Sequence, residues 1–314
     1  MTNRIQTYLL TLFFLVFSLI SSANAEVKVV TSIKPIHSLV SYIMDGVGKP
    51  DVIVDGYNSP HGFSLKPSHA KMLENADLVI WVGEDLEAFL EKPLQTIAKK
   101  AKNIELMDLK GIKKLEFREK NIFEEHDDHK EKDGHKEHDD HKEKDGHGEH
   151  DPHVWLDPIN AKVIIKEITN QLVQLDSKNS SIYKSNSKKA LTDIDKLVKD
   201  IKKELNKDLR FVVFHDAYQY FENRFDIQVL GALTINTDVM PGAEQLSEIR
   251  EVIEHEKVNC LFSEPQFNPA IIKSIAKDTK IKTGILDPLG AKLDKGKNLY
   301  FDLLSDMASS FKGC

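Results

Sequence analysis

Short apolar runs alternating with helix-length amphipathic segments predict an α/β protein built on parallel sheets. Two further observations extend this reading. The alternation occurs twice, on either side of a stretch (160–209) that contains neither Gly nor Pro, and 314 residues suffice for two modest domains. The predicted architecture is two lobes, each a parallel sheet flanked by helices, joined by one long spine helix.

The elements follow in order. Residues 27–33, 51–55, 78–82 and 104–109 are short apolar runs and read as strands. Between them 36–44, 67–75 and 86–101 read as helices, and Pro67 suits a first helical position. In the second half 211–214, 227–233, 259–263 and 281–286 read as strands, with helices at 217–225, 242–256, 268–279 and 300–311. In the middle stretch Leu191, Ile194, Val198, Ile201 and Leu205 are spaced 3, 4, 3 and 4, a narrow apolar stripe on a Lys- and Asp-rich helix. Residues 177–181 are expected to separate it from a preceding helix. The domain reading is an N-terminal lobe over 26–177, a connecting helix over 178–207 and a C-terminal lobe over 208–314. An ordinary peripheral helix is the alternative for the connector.

Residues 1–25 read as an export signal. Arg4 gives a positive start, 8–20 is an almost unbroken apolar run, and Ala23-Asn24-Ala25 is a small-residue site for cleavage after Ala25. The run falls short of the roughly 20 residues a bilayer span needs, which weighs against an uncleaved anchor. No cysteine follows it to carry a lipid. A soluble, periplasmic mature chain is expected. Cys260 and Cys314 are the two cysteines; in an oxidising compartment an even pair reads as one disulfide, here fastening the C-terminus to a strand, and two separate thiols are the alternative. A net charge of −7 argues against nucleic acid, whose binders need a basic stripe.

Residues 118–151 differ in kind. The sequence of 125–136, EHDDHKEKDGHK, recurs almost unchanged at 137–148 as EHDDHKEKDGHG. Little apolar follows Phe123, so this insert is expected to be disordered by itself. It carries His126, His129, His135, His138, His141, His147 and His150, which offer weak, auxiliary metal binding.

In a doubly wound sheet, ligands bind outside the carboxyl ends of the strands. Three histidines fall at such places: His61 after the second strand, His153 just beyond the insert, and His215 at the end of the fifth. Asp287 follows the eighth strand as an acidic candidate. Neutral imidazoles suit zinc, and three of them with a carboxylate or water make an ordinary tetrahedral site. A single histidine at a strand end is more often structural than a ligand; three of them beside a histidine-rich insert shift the balance. His37, His69 and His255 lie on helical faces and read as surface residues. Asp216 reads equally as a partner orienting an imidazole or as a cap for the helix at 217–225.

The motifs SPHGFSLKPS, ADLVIWVGEDLEAF, DPHVWLDP, FHDAYQYFE, SEPQFNPA and LDPLG, in that order, resemble the ZnuA-type zinc-binding proteins of ABC importers across nearly all of 26–314. The export signal, the charged histidine-rich insert before DPHVWLDP and the cysteine pair are similar too. The resemblance implies two α/β lobes joined by one long helix, with Zn2+ as transported ligand in the cleft between them. Carried over by position, it implies His61, His153 and His215 as imidazole ligands. Related manganese binders have a carboxylate where His215 stands, so a third imidazole favours zinc. Some zinc binders have a glutamate before the first histidine, where this chain has Pro60; Asp287 or water is left for the fourth position. The implied partners are a cognate inner-membrane ABC permease with its ATPase, and an auxiliary periplasmic zinc chaperone. A monomer is expected, and no catalysis. Competing readings are an exported zinc-dependent hydrolase, against which stands the lack of an H-E-x-x-H or G-x-S-x-G run, a zinc-buffering protein, and an adhesin on the same fold.

Overall fold

The computed structural model of this chain describes residues 26–123, 150–205, 210–235, 237 and 241–314. They form two four-stranded parallel sheets with the same internal order. The first is β2-β1-β3-β4, from β1 (Val29–Ile33), β2 (Asp51–Val54), β3 (Leu78–Trp81) and β4 (Lys102–Glu105). The second is β6-β5-β7-β8, from β5 (Arg210–His215), β6 (Gln228–Thr234), β7 (Cys260–Ser263) and β8 (Lys282–Ile285). The order reverses between β1 and β3 and again between β5 and β7, so each sheet has a crevice at its carboxyl end. The central strands β1 and β3 are buried at every position, as expected of parallel strands covered on both faces. The α/β expectation of two helix-flanked parallel sheets is met.

Helices α1 (Lys34–Ile43), α2 (Pro67–Glu74) and α3 (Glu84–Thr96) accompany the first sheet; α6 (Gln219–Phe225), α7 (Ala243–His255) and α8 (Ala270–Thr279) accompany the second. Between them run α4 (Pro158–Leu175) and the 25-residue α5 (Ser180–Glu204). The last helix is α9 (Leu299–Lys312). Among the described residues no helix is long and apolar enough to cross a membrane. The signal region, including Ala25, lies outside the described residues.

Some boundaries move from the sequence reading. The fourth strand begins at Lys102 rather than 104, because its first two residues are exposed and polar at the sheet edge, where alternation carries no signal. On α5 the buried face is Tyr183, Ser187, Ala190, Ile194, Leu197 and Ile201. The expected stripe positions Leu191, Val198 and Leu205 are only partly buried beside it. The helix packs on α4, α1 and α9, so its contact face is broader than the Leu/Ile/Val pattern and includes Ser187 and Ala190.

Contacts between the two halves position the site. Buried Lys34, at the start of α1, donates through Nζ to the carbonyls of Gly290, Leu293 and Ala291 at 2.6, 2.7 and 3.2 Å. The indole of Trp155 donates to Pro288 O at 2.9 Å, and the Tyr300 hydroxyl donates to Trp155 O at 2.8 Å. Residues 121–123 cross from the first half to lie antiparallel along β6: Phe123 N donates to Leu230 O at 2.9 Å and Ala232 N to Asn121 O at 2.8 Å. Gly231 allows this approach, since a Cβ there would meet Asn121 O at 2.7 Å. The disulfide Cys260–Cys314 ties the second residue after α9 to β7, with Cα atoms 5.8 Å apart.

Candidate metal centre

Each of the three histidines is brought in by a different element. His61 sits in the loop after β2, His153 in the turn before a short 3-10 helix (Val154–Leu156), and His215 is the last residue of β5. The turn carrying His153 is fixed locally: Asp157 caps α4 by accepting from Ile159 N at 2.8 Å, and its carboxylate also takes both ends of the Arg224 guanidinium at 2.7 Å. The Tyr220 hydroxyl donates to Asp151 O at 2.7 Å.

The three rings converge. Centroids are 5.8 Å apart for His61–His153, 5.2 Å for His61–His215 and 5.0 Å for His153–His215. One ring nitrogen from each lies within 4.8 Å of the others, the one such cluster of three metal-ligating groups among the described residues. His153 and His215 are buried and His61 is partly exposed, which leaves an approach from solvent on the His61 side. The cavity they line with Trp155, Phe267 and Leu289 has a volume of about 10 Å3. That is room for one ion or water, against roughly 300–1,000 Å3 for a pocket that holds an organic ligand. A larger groove of about 590 Å3 runs along β4 and contains no histidine.

Two buried carboxylates adjoin the rings. Asp151 Oδ1 lies 2.7 Å from His153 Nδ1 and accepts the His153 backbone N–H at 2.9 Å. Glu264, the residue after β7, has Oε1 3.6 Å from His215 Nδ1. Burial lowers the His153 imidazole to about 4, with Glu264 opposing. Burial also holds His215 well below the ordinary imidazole value, and neighbouring His153 adds to this. Both are therefore neutral at physiological pH, the form that ligates a metal. The same burial pushes Glu264 up to about 8 and Asp151 up to about 7. The site discourages charge on His153, His215, Glu264 and Asp151 until a cation supplies a counter-charge.

Asp287 stands apart from this cluster. Its Oδ1 accepts from Gln266 Nε2 at 2.8 Å and Leu289 N at 3.1 Å, and its Oδ2 from Ala291 N at 2.5 Å. Asp216 takes neither role read for it, since α6 starts three residues later and Asp216 instead accepts from Arg118 at 2.9 Å. The surface reading of His37 and His69 is corrected. His37 is buried with Nε2 3.1 Å from Pro50 O; His69 is buried, stacked on Phe63, and accepts Lys66 N at 3.2 Å. His255 is exposed as expected. His150 is half-buried and pairs through its backbone with Glu116; His126, His129, His135, His138, His141 and His147 lie outside the described residues. Asp151 and Glu264 escaped the sequence reading. The signal was available for Glu264, which directly follows β7 beside the strand that His215 ends, had the strand-end rule been applied to it.

A two-lobed α/β chain that converges three imidazoles on an ion-sized cavity defines a metal-binding protein. The sequence profile of ZnuA, described as zinc-uptake complex component A, periplasmic, matches residues 29–314. The chain belongs to this family. It is 41% identical over 331 residues to the high-affinity zinc uptake system protein ZnuA of Brucella abortus (strain 2308), covering 100% of this chain and 99% of that protein. Among solved structures it is similar in fold to a ZnuA crystal structure, with a TM-score of 0.75 at 22% identity over 92% of this chain and 99% of that one. The laminin-binding adhesin Lmb of Streptococcus agalactiae, as a mutant structure, shares the fold with a TM-score of 0.71 at 24% identity over 91% and 98%.

Proposed function

We propose that this chain is the periplasmic substrate-binding component of an ABC importer: it captures Zn2+ with His61, His153 and His215 and delivers it to a membrane permease driven by an ATPase. One observation carries the reading, the convergence of three imidazoles on a cavity the size of one ion. Imidazole nitrogen is a borderline-soft donor suited to zinc, whereas carboxylate-rich sites suit manganese and magnesium. Water or Asp287 takes the fourth position; Asp287 would have to give up three present donors to do so. The protein catalyses nothing, and the cavity is too small for the organic substrate of a hydrolase. Export to the periplasm follows the family description and the signal at 1–25. The 125–148 repeat adds weaker zinc sites.

The test is titration calorimetry on protein lacking 125–148, so that the repeat does not mask the tight site. Replacing His61, His153 or His215 singly by Ala is expected to weaken zinc binding by at least ~100-fold, more than loss of a mere supporting group. Asp287→Asn is expected to matter less. Unchanged affinity in His61→Ala would sink the assignment.

A further inference from the structure

The carboxylates beside the rings explain how a site with no carboxylate ligand in the cluster accommodates a doubly charged ion. A neutral imidazole has one N–H and one lone pair, so whatever accepts at Nδ1 dictates that Nε2 faces the metal. Asp151 does this for His153, at 2.7 Å from Nδ1. His215 has the same arrangement in looser form. Its Nδ1 faces Glu264 Oε1 at 3.6 Å, both groups are 4% exposed or less, and neither atom has a hydrogen-bond partner within ordinary distance. The Glu264 carboxyl is one of the groups lining the three-imidazole cavity, and it also lies outside the cluster of mutually close ligand atoms.

We propose that Glu264 is a positioning residue of the metal centre: it accepts the Nδ1–H of His215, fixes that ring with Nε2 toward the ion, and pairs with Asp151 to balance the charge of a divalent cation from outside the ligand sphere. The proposal rests on the reading of the three histidines as zinc ligands. Closing 3.6 Å to a charge-assisted hydrogen bond near 2.8 Å takes a movement of less than roughly 1 Å. Two carboxylates and one divalent ion sum to zero, so the buried centre reaches neutrality with three imidazoles and a neutral water around the metal. Keeping the carboxylates outside also keeps the ligand set soft, which favours zinc over manganese.

The test uses the full mature chain with Co2+ added at or below one equivalent, so that the tightest site fills first. The variants are Glu264→Gln, which preserves shape, and Glu264→Ala. In both, the intense visible absorption of four-coordinate cobalt is expected to keep its position and strength. Zinc affinity, measured by chelator competition, is expected to fall 10–100-fold in the Ala variant and by less in the Gln variant, which still accepts a hydrogen bond. In the zinc-loaded wild type, NMR is expected to show a protected Nδ1–H for His215, exchanging faster in Glu264→Ala. A merely structural role would lower the melting point of the metal-free variants and leave that proton and the zinc affinity unchanged, which would overturn the proposal. A collapsed or shifted cobalt spectrum in Glu264→Gln would overturn it too, by making Glu264 a ligand. If the wild type itself shows no four-coordinate cobalt, the fault lies with the three-histidine reading and not with Glu264. Should Glu264→Ala fail to fold, Glu264→Gln carries the same comparisons.

Discussion

Glu87 shows how far one side chain can be taken from water in this fold. It is fully buried in α3, and Oε2 accepts the N–H groups of Val82 and Gly83 at 2.7 and 3.3 Å. Burial nevertheless dominates and raises its pKa from 4.5 to about 7, with Ser32 and the two amides opposing. The folded state thus holds a proton that the unfolded chain releases above about 4.5. The contribution is fully present below that pH and is lost as pH rises through about 7, a change of at most about 3 kcal/mol. Glu87→Gln cannot titrate. Relative to wild type it is expected to be more stable at pH 8 than at pH 5, by ~1–3 kcal/mol, in urea unfolding of metal-free protein. An equal difference at both pH values would refute the buried-proton account. At this scale the sequence was readable where a residue acts through its place on a strand: His215 ends β5 and His61 lies in the loop beyond β2, while His153 sits in the turn before a short 3-10 helix. It was unreadable where the role depends on a partner far along the chain. Glu264 meets His215 across 49 residues, and helical position alone could not tell that His37 would be covered by Pro50.

Among the elements, α9 and β7 are joined by the disulfide Cys260–Cys314, closing 54 residues of sequence. In the chain-entropy view such a loop restrains the unfolded state by ~4 kcal/mol, less any strain. Cys314→Ser is expected to lower unfolding free energy by ~2–4 kcal/mol, read from denaturant midpoints. Reductant is expected to reproduce that loss in wild type and to do nothing to the variant. The pairing was legible because only two cysteines exist in a chain read as exported. The strap at 121–123 was not legible: three residues with no strand pattern of their own gain it only from the β6 edge they lie along. The expected stripe on α5 matched the buried face only at Ile194 and Ile201 for a similar reason, since Ser187 and Ala190 fall outside a Leu/Ile/Val count yet fit against neighbouring helices.

At the level of the molecule, both ends of the insert are anchored on the framework, Phe123 on β6 and His150 on Glu116. Deleting 125–148 is therefore expected to leave the tight zinc site's affinity unchanged while removing additional weaker equivalents in calorimetry. Loading at limiting zinc is expected to slow, because tethered weak sites raise local metal concentration. Equal stoichiometry and equal stopped-flow loading rates in the two proteins would deny the repeat any part in capture.

The packing of α9 on α1 also has a meaning in time. Helix α1 ends at Ile43 and α9 begins at Leu299, yet they share a buried apolar contact, with Ser38 Oγ receiving the Tyr300 N–H at 2.9 Å. At ~5–20 residues per second, roughly 10–50 s of synthesis separate the two helices. Throughout that interval the apolar face of α1 lacks its cover, and the first sheet is without the helix that completes its surroundings. A nascent chain wired this way stays short of its final form until almost everything has been made. For a protein proposed to be exported, such lateness leaves a long interval in which the chain has not yet locked into its final form.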